Sequence, residues 1–207
     1  MAVFISFEGL DGAGKGTQLK LLLEYLKEKG VDFIFTREPG GTEVAERIRD
    51  LVLNPVNKGM SVITEALLFA AARAEHVNKL IRPALEARKV VICDRFVDSS
   101  MVYQAYAGGL PVEFVAQIND MATGSLKPHR TIVLDLASNV ARARREAATP
   151  QDRIEQKDEW YHQQVREGYL ELAKAEPRRI KVVDASGSVE SVQEQIRRLV
   201  DEVLPRR

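Results

Sequence analysis

The sequence predicts an α/β fold in which a five-stranded parallel sheet is flanked by helices on both faces. Five short apolar runs recur along the 207 residues, at positions 3–7, 33–35, 90–93, 132–134 and 180–183. The runs are continuous rather than alternating, which is typical of strands covered on both faces. Turn residues and a segment of helical periodicity follow the runs, and this rhythm indicates βαβ units. The length of 207 residues favours a single domain spanning 1–207.

Helices are predicted between these strands wherever apolar residues recur at helical spacing. They span residues 17–29, 42–53, about 61–88, 111–121, 160–175 and 189–203. The first helix places Leu19, Leu22 and Leu26 on one face, and Gly30 after it is a common stop residue.

The longest predicted helix begins near Ser61 and is expected to pack centrally, because its apolar residues fall on one side. Pro83 predicts that this helix ends or bends near Arg82. The apolar residues in question are Ile63, Leu67, Ala70, Ala74, Val77 and Ile81.

The least regular stretch is a polar segment at 145–156, which contains Thr149 and Pro150. A segment of this kind is typical of a mobile flap over a site rather than of a domain linker. Arginines cluster around it, so a short lid is predicted over about 142–156.

The charge balance limits what the whole surface can bind. Thirty Lys and Arg residues against thirty Asp and Glu residues give a formal net charge of zero. This balance excludes a whole-protein field that gathers nucleic acid or an anionic membrane, so an anionic ligand must be held locally. The single cysteine, Cys93, excludes an intramolecular disulfide and fits a reducing compartment. We find no leader peptide or long apolar stretch, so the cytoplasm is the expected location.

A glycine-rich loop lies between the first predicted strand and the first predicted helix, in the order Gly9-Leu-Asp-Gly-Ala-Gly-Lys-Gly-Thr17. This context is that of a phosphate-binding loop, whose backbone N–H groups and helix N-terminus surround an anion. Lys15 is predicted to reach the distal phosphates of ATP, and Thr17 to be a ligand of Mg²⁺. The residues predicted to bind ATP are Gly9, Leu10, Asp11, Gly12, Ala13, Gly14, Lys15, Gly16, Thr17 and Gln18.

Polar residues follow the second and third predicted strands, at the edge where a parallel sheet collects its ligands. Arg37 and Glu38 follow the second strand, and Asp94 and Arg95 follow the third. An acidic residue at a strand end can hold the Mg²⁺ that bridges the outer phosphates, so Asp94 is the second predicted metal ligand. Arg95 offers a two-pronged donor to another phosphate.

Phe69 and Arg73 are four residues apart on the central helix, so their side chains lie one above the other on one face. This pair could stack a base and hold its phosphate or carbonyl group. A core phenylalanine beside a surface arginine fits the same spacing.

These motifs together resemble those of thymidylate kinases over nearly the whole chain. The resemblance rests on residues 7–12, 36–42, 67–76 and 94–104, and on shorter blocks at 127–128, 134–135, 152–155 and 166–169. It implies a three-layer P-loop kinase fold with a short lid, and Mg²⁺-dependent transfer of the γ-phosphoryl group of ATP to dTMP. It also implies a homodimer. One departure is Gly108, where the family usually carries an arginine.

The resemblance also implies roles for individual residues. Phe69 would stack on thymine, Arg73 and Gln104 would bind the base edge, and Arg37 and Arg95 would hold the acceptor phosphate. The implied dTMP-binding residues are Asp11, Arg37, Pro39, Phe69, Arg73, Arg95, Ser99, Ser100, Tyr103 and Gln104. The implied catalytic residues are Lys15, Glu38, Arg95 and Arg153.

The family that the chain resembles takes a catalytic arginine either from the phosphate loop or from the lid. Gly12 and Ala13 of the loop carry no charge here, so the resemblance implies that the lid supplies it. On this ground Arg153 is assigned the role of stabilising the transition state. The candidates for an assisting residue are Arg142, Arg144 and Arg145.

Two other functions fit parts of the sequence. A P-loop kinase for a different nucleoside or nucleotide would share the phosphate loop. A P-loop module that binds ATP as a switch would share it too, but a switch needs only one phosphate site. The second set of arginines at the strand ends therefore favours a kinase.

Overall fold

The computed structural model describes residues 2–147 and 151–204, and the five strands within them form one parallel sheet. The strand order is β2-β3-β1-β4-β5, so the first strand is central. The strands are β1 (Val3–Gly9), β2 (Phe33–Arg37), β3 (Val90–Asp94), β4 (Arg130–Asp135) and β5 (Ile180–Asp184). The predicted α/β class with five parallel strands is confirmed.

Nine α-helices occupy the described ranges, and none of them is long and apolar enough to cross a membrane. They are α1 (Lys15–Glu28), α2 (Glu43–Leu53), α3 (Val62–His76), α4 (Arg82–Glu86), α5 (Val97–Ser100), α6 (Val112–Thr123), α7 (Ser138–Glu146), α8 (Glu159–Ala175) and α9 (Val189–Asp201). A 3₁₀ turn covers Pro55–Asn57, and π-helical turns cover Val77–Ile81 and Met101–Tyr106.

The side chains of β1 divide the interior into two cores, because successive residues of a strand point to opposite faces. Ile5 and Phe7 join the larger core, which also contains buried residues of α1, α8 and α9. Phe4 joins the smaller core, where its ring meets the Phe96 ring edge-on at a centroid distance of 4.8 Å. Helices therefore cover both faces of the sheet, as the continuous apolar runs predict.

The predicted helix at 61–88 is divided into three segments: α3, a π-helical turn and α4. The last segment begins at Arg82 and has Pro83 in its first turn, and the backbone of Ile81 and Arg82 stays helical, so the helix does not end there as Pro83 suggested. The expectation of a wholly packed apolar side is wrong for its first half. Ile63 and Leu67 are 47% and 49% exposed, because α2 and α6 cover other parts of α3.

The beginning of the predicted lid, residues 142–146, is helical. Residues 138–146 form α7, which the sequence analysis did not predict, and residues 153–156 form a turn. Asp152 Oδ1 accepts hydrogen bonds from the backbone N–H groups of Ile154 and Glu155 at 2.8 and 2.9 Å, which holds this turn. Thr149 and Pro150 lie outside the described residues.

Candidate active site

The phosphate loop closes around the side chain of Lys15. Lys15 Nζ donates to the carbonyl oxygens of Gly9 and Leu10, both at 3.0 Å, and lies 3.4 Å from Asp11 Oδ1. Burial lowers the pKa of Lys15, and the positive charge of Arg95 lowers it further. The loop lines a cavity of about 520 Å³, called here the phosphate cavity. Its lining residues are Asp11, Gly12, Ala13, Gly14, Lys15, Gly16, Thr17, Gln18, Asp94, Arg144, Ala185, Gly187, Val189 and Val192.

A second cavity, of about 170 Å³ and called here the acceptor cavity, adjoins the first because Asp11 lines both. Its lining includes two aromatic residues, Phe69 and Tyr103, and nine of the ten residues that the resemblance implies for dTMP. The exception is Arg37. The lining residues are Asp11, Glu38, Pro39, Arg49, Leu53, Phe69, Arg73, Arg95, Ser99, Ser100, Tyr103, Gln104, Asp152, Ile154 and Glu155.

Arg95 lines the acceptor cavity and is held by several partners, among them Asp11, which lines both cavities. Its Nη2 donates to Asp11 Oδ1 at 2.7 Å, and its Nη1 donates to Ser99 Oγ at 3.2 Å and Tyr169 Oη at 3.3 Å. The guanidinium also lies 5.2 Å from the centre of the Tyr103 ring. Burial alone would raise the pKa of Asp11, but the charges of Arg95 and Lys15 outweigh it and hold that pKa below its ordinary value.

A buried carboxylate, Glu8, accepts hydrogen bonds from two of these partners of Arg95. Its Oε2 accepts hydrogen bonds from Ser99 Oγ at 2.5 Å and Tyr169 Oη at 2.9 Å, and its Oε1 accepts from the Phe96 N–H at 2.8 Å. Glu8 thus fixes the two hydroxyl groups that Arg95 touches. Burial, together with the negative charge of Asp98, raises the pKa of Glu8 to about 7.

Arg73 is fully buried at the side of the acceptor cavity, and neighbouring side chains accept hydrogen bonds from most of its N–H groups. Its Nε donates to Glu38 Oε2 at 2.7 Å, and its Nη1 donates to Ser100 Oγ at 2.9 Å and Asn119 Oδ1 at 2.6 Å. The other Glu38 oxygen lies 3.0 Å from His76 Nδ1. Glu38 therefore holds Arg73 in place in this structure.

Arg37 lies away from both cavities, on the exposed side of the β2 end. Its Nη2 pairs with Glu46 Oε2 at 2.9 Å, and its side chain is 47% exposed. Arg49 of α2 lines the acceptor cavity instead, with its Nη1 donating to the Pro39 carbonyl at 2.9 Å. Arg49 was not predicted as a site residue. Helical periodicity shows which residues of α2 are apolar, but not which polar residue faces the edge of the sheet.

The lid arginines separate into different environments. Arg144 lines the phosphate cavity, whereas Arg142 lies on the exposed side of α7 and pairs with Glu146 at 2.7 Å. Arg145 is buried, and its Nε has no hydrogen-bond partner in the described part of the chain. Arg153 is buried too, and its guanidinium donates to Glu65 Oε2 at 2.6 Å and to the Val52 carbonyl at 2.7 Å. The structure therefore places Arg153 in an internal ion pair.

Helix α7 also contacts the phosphate loop directly. Gly12 has a φ of +89°, and a Cβ at this position would lie 2.1 Å from the Ala141 carbonyl oxygen in α7. Any residue larger than glycine would push the loop and the lid helix apart.

The two predicted metal ligands lie at the same cavity. Thr17 and Asp94 both line the phosphate cavity, and Asp94 Oδ1 is buried without a hydrogen-bond partner among the described residues. A buried carboxylate oxygen without a donor is chemically suited to a hard cation such as Mg²⁺. Within residues 2–147 and 151–204, no three His, Cys, Asp or Glu side chains are grouped as a metal site.

A P-loop cavity beside a smaller cavity with an aromatic face and several arginines defines a P-loop nucleoside monophosphate kinase. Comparison with known proteins narrows this class. The family model described as thymidylate kinase matches residues 7–196, and the chain therefore belongs to the thymidylate kinase family.

Individual relatives agree with this assignment. A thymidylate kinase of Symbiobacterium thermophilum is 72% identical over 207 residues, which cover 100% of this chain and 96% of that protein. A thymidylate kinase of Exiguobacterium sibiricum is 49% identical over 93% of this chain and 91% of its own. The crystal structure of thymidylate kinase from Ehrlichia chaffeensis superposes with a TM-score of 0.78 at 35% identity, covering 97% of this chain and 98% of that one.

The raised pKa of Glu8 predicts a pH-dependent stability. Because the folded-state pKa of about 7 lies above the ordinary value of 4.5, the folded state binds the proton more tightly. The resulting stabilisation is complete below about pH 4.5 and is lost as the pH rises to about 7. The E8Q variant lacks this titration, so its free energy of unfolding relative to wild type should rise by roughly 1–3 kcal/mol between pH 5 and pH 8. Urea unfolding at several pH values measures the difference, and a difference that stays constant with pH contradicts it.

Proposed function

We propose that this enzyme transfers the γ-phosphoryl group of ATP to dTMP, with ATP in the phosphate cavity and dTMP in the acceptor cavity. The observation that carries this proposal is that the two cavities share Asp11, which Arg95 of the acceptor cavity binds, so that a donor and an acceptor phosphate would face each other there. Membership of the thymidylate kinase family supports the choice of substrates.

On the donor side, the resting contacts of Lys15 are with neutral carbonyl oxygens and one carboxylate. A bound polyphosphate offers a stronger partner for an ammonium group than a carbonyl oxygen does. Lys15 therefore moves to the β- and γ-phosphates when ATP binds. Mg²⁺, held by Asp94 and Thr17, would neutralise charge on those phosphates, and the unpartnered Asp94 Oδ1 supports this assignment.

On the acceptor side, the base lies against Phe69, and its edge meets Arg73 and Gln104. The 5′-phosphate lies at the opposite end, between Arg95 and Arg49. Arg95 is already oriented by Asp11, Ser99 and Tyr169, so binding costs little reorganisation of its side chain. In this arrangement Arg49 replaces Arg37 as the second phosphate ligand.

The reaction needs positioning and positive charge more than proton transfer. An oxygen of the dTMP phosphate is already ionised and attacks the γ-phosphorus, while the bond to the β,γ-bridging oxygen breaks and ADP leaves with that electron pair. Charge spreads over the transferred phosphoryl oxygens in the transition state. Lys15, Arg95 and one lid arginine are placed to stabilise it.

Arg144 is the lid arginine that the geometry favours for this role, since it lines the phosphate cavity. Arg144→Ala should lower kcat by about 100-fold or more while changing the KM for dTMP by less than about threefold, because the contact is made in the transition state. Steady-state kinetics measures both constants. Arg142→Ala, on the exposed side of the same helix, is the matched control and should stay within about twofold of wild type.

Arg153 is the competing assignment. If Arg153→Ala rather than Arg144→Ala lowers kcat without raising the KM for dTMP, the lid rearranges to bring Arg153 to the phosphates and the assignment of Arg144 is wrong.

A panel of nucleoside monophosphates tests the proposed activity itself. With ATP and Mg²⁺, kcat/KM should be highest for dTMP among dTMP, dUMP, dCMP, AMP and GMP. The advantage over dUMP is limited to about 1–3 kcal/mol, because one methyl group separates them. A faster reaction with another monophosphate indicates a different kinase, and no ADP release with any of them indicates a switch.

We also infer a homodimer, as the resemblance implies. Ile63 and Leu67 of α3 and Val112 of α6 are exposed apolar side chains on neighbouring helices, and they support an interface on this side of the molecule. Light scattering should give about twice the 23.2 kDa chain mass. Leu67→Glu should return the mass to that of one chain, and a single-chain mass for the wild-type protein contradicts the inference.

A further inference from the structure

Glu65 of α3 is a fully buried carboxylate that the phosphoryl transfer does not use. Its Oε1 accepts a hydrogen bond from Gln104 Nε2 at 2.9 Å, and its Oε2 accepts one from Arg153 Nη2 at 2.6 Å. Lys157 Nζ lies 3.9 Å from the same Oε2. Burying an ionised carboxylate is costly unless such donors surround it, and Gln104, Arg153 and Lys157 supply them here.

The charge of Glu65 determines which way the Gln104 amide faces. An ionised carboxylate only accepts hydrogen bonds, so the amide nitrogen and not the amide oxygen must be turned towards it. Gln104 Oε1 is then on the opposite branch of the amide, and no donor in the described ranges bonds to it. Because Gln104 lines the acceptor cavity, its oxygen is left as an acceptor for a ligand.

A hydrogen-bond acceptor at Gln104 matches the donor and acceptor pattern of one class of pyrimidine base. Thymine and uracil present an N3–H donor beside the O4 acceptor, whereas cytosine presents an N3 acceptor beside an amino donor. An acceptor at Gln104 and the one remaining Nη2 donor of Arg73 complement the first pattern and oppose the second.

We propose that Glu65 is a positioning residue that sets the base specificity of the acceptor cavity by fixing the orientation of the Gln104 amide. Arg153 contributes by saturating the other carboxylate oxygen, which prevents Glu65 from turning away. The ion pair links the turn at 153–156 to the base-binding end of the cavity. This inference rests on the proposed placement of the base against Phe69.

The E65Q variant tests the inference because it should reverse the orientation of the Gln104 amide. Arg153 can only donate, so it retains the oxygen of the new glutamine, and the new NH₂ group faces residue 104. Gln104 then turns its own oxygen to accept from that NH₂ and presents its nitrogen to the cavity. The acceptor for N3–H is replaced by a donor, which suits cytosine.

The measurement is the ratio of kcat/KM for dTMP to kcat/KM for dCMP, which does not depend on the fraction of active enzyme. In E65Q this ratio should fall by about 100-fold or more, since a mismatched buried hydrogen bond is strongly rejected. The ratio of dTMP to dUMP should stay within about twofold, because both bases share the same edge. K157Q, which removes the more distant partner of the same carboxylate, should leave both ratios unchanged.

Two further variants keep the outcomes distinct. Q104M removes both amide atoms and tests whether residue 104 reads the base at all. A dTMP to dCMP ratio unchanged in Q104M contradicts the proposed placement of the base, whereas a ratio altered in Q104M but unchanged in E65Q contradicts only the role of Glu65. If circular dichroism shows that E65Q is unfolded, E65D takes its place. It keeps the charge but withdraws it from Gln104, so the ratio should fall by about fivefold or more, and an unchanged ratio overturns the inference.

Discussion

Three largely buried arginines in and beside the acceptor cavity are each paired with a carboxylate before any ligand arrives, and the rest of the site depends on this pairing. Arg95 is held by Asp11, Arg73 by Glu38, and Arg153 by Glu65. A buried cation without such a partner would destabilise the fold, so positive charge for two nucleotides can be stored only with its counter-ions in place.

These pairs differ in what they do when nucleotides bind. The Asp11 to Arg95 pair is partly open to both cavities, so a phosphate can share or replace the carboxylate there. The Glu38 to Arg73 and Glu65 to Arg153 pairs are buried, and in the proposed arrangement they would set the direction of the donors and acceptors at the end of the acceptor cavity that binds the base. Glu8 is a further carboxylate that orients an arginine, because it fixes the hydroxyl groups of Ser99 and Tyr169 that Arg95 contacts.

Sequence periodicity predicts the sheet well, since both faces of each strand are apolar. It does not predict the arrangement of the polar residues at the strand ends, where the site lies. Every strand continues past its apolar run into polar residues, such as Asp94 in β3, because the carboxyl ends meet the ligands. Helix α7 escaped prediction, because its Ala and Arg residues give little apolar periodicity. The positions of Arg49 and Arg153 could not be predicted either. Whether an arginine faces a cavity, solvent or a carboxylate depends on partners distant in sequence, here Pro39 and Glu65.

The central claim is that the acceptor cavity is the dTMP site and that its polar groups are oriented before binding. A crystal structure of the complex with dTMP tests this claim most directly. We expect the thymine ring to stack on Phe69 with N3 within about 3.2 Å of Gln104 Oε1, and the 5′-phosphate to lie between Arg95 and Arg49. A base bound away from Phe69, or a phosphate bound by the exposed Arg37 instead of Arg49, would contradict the account.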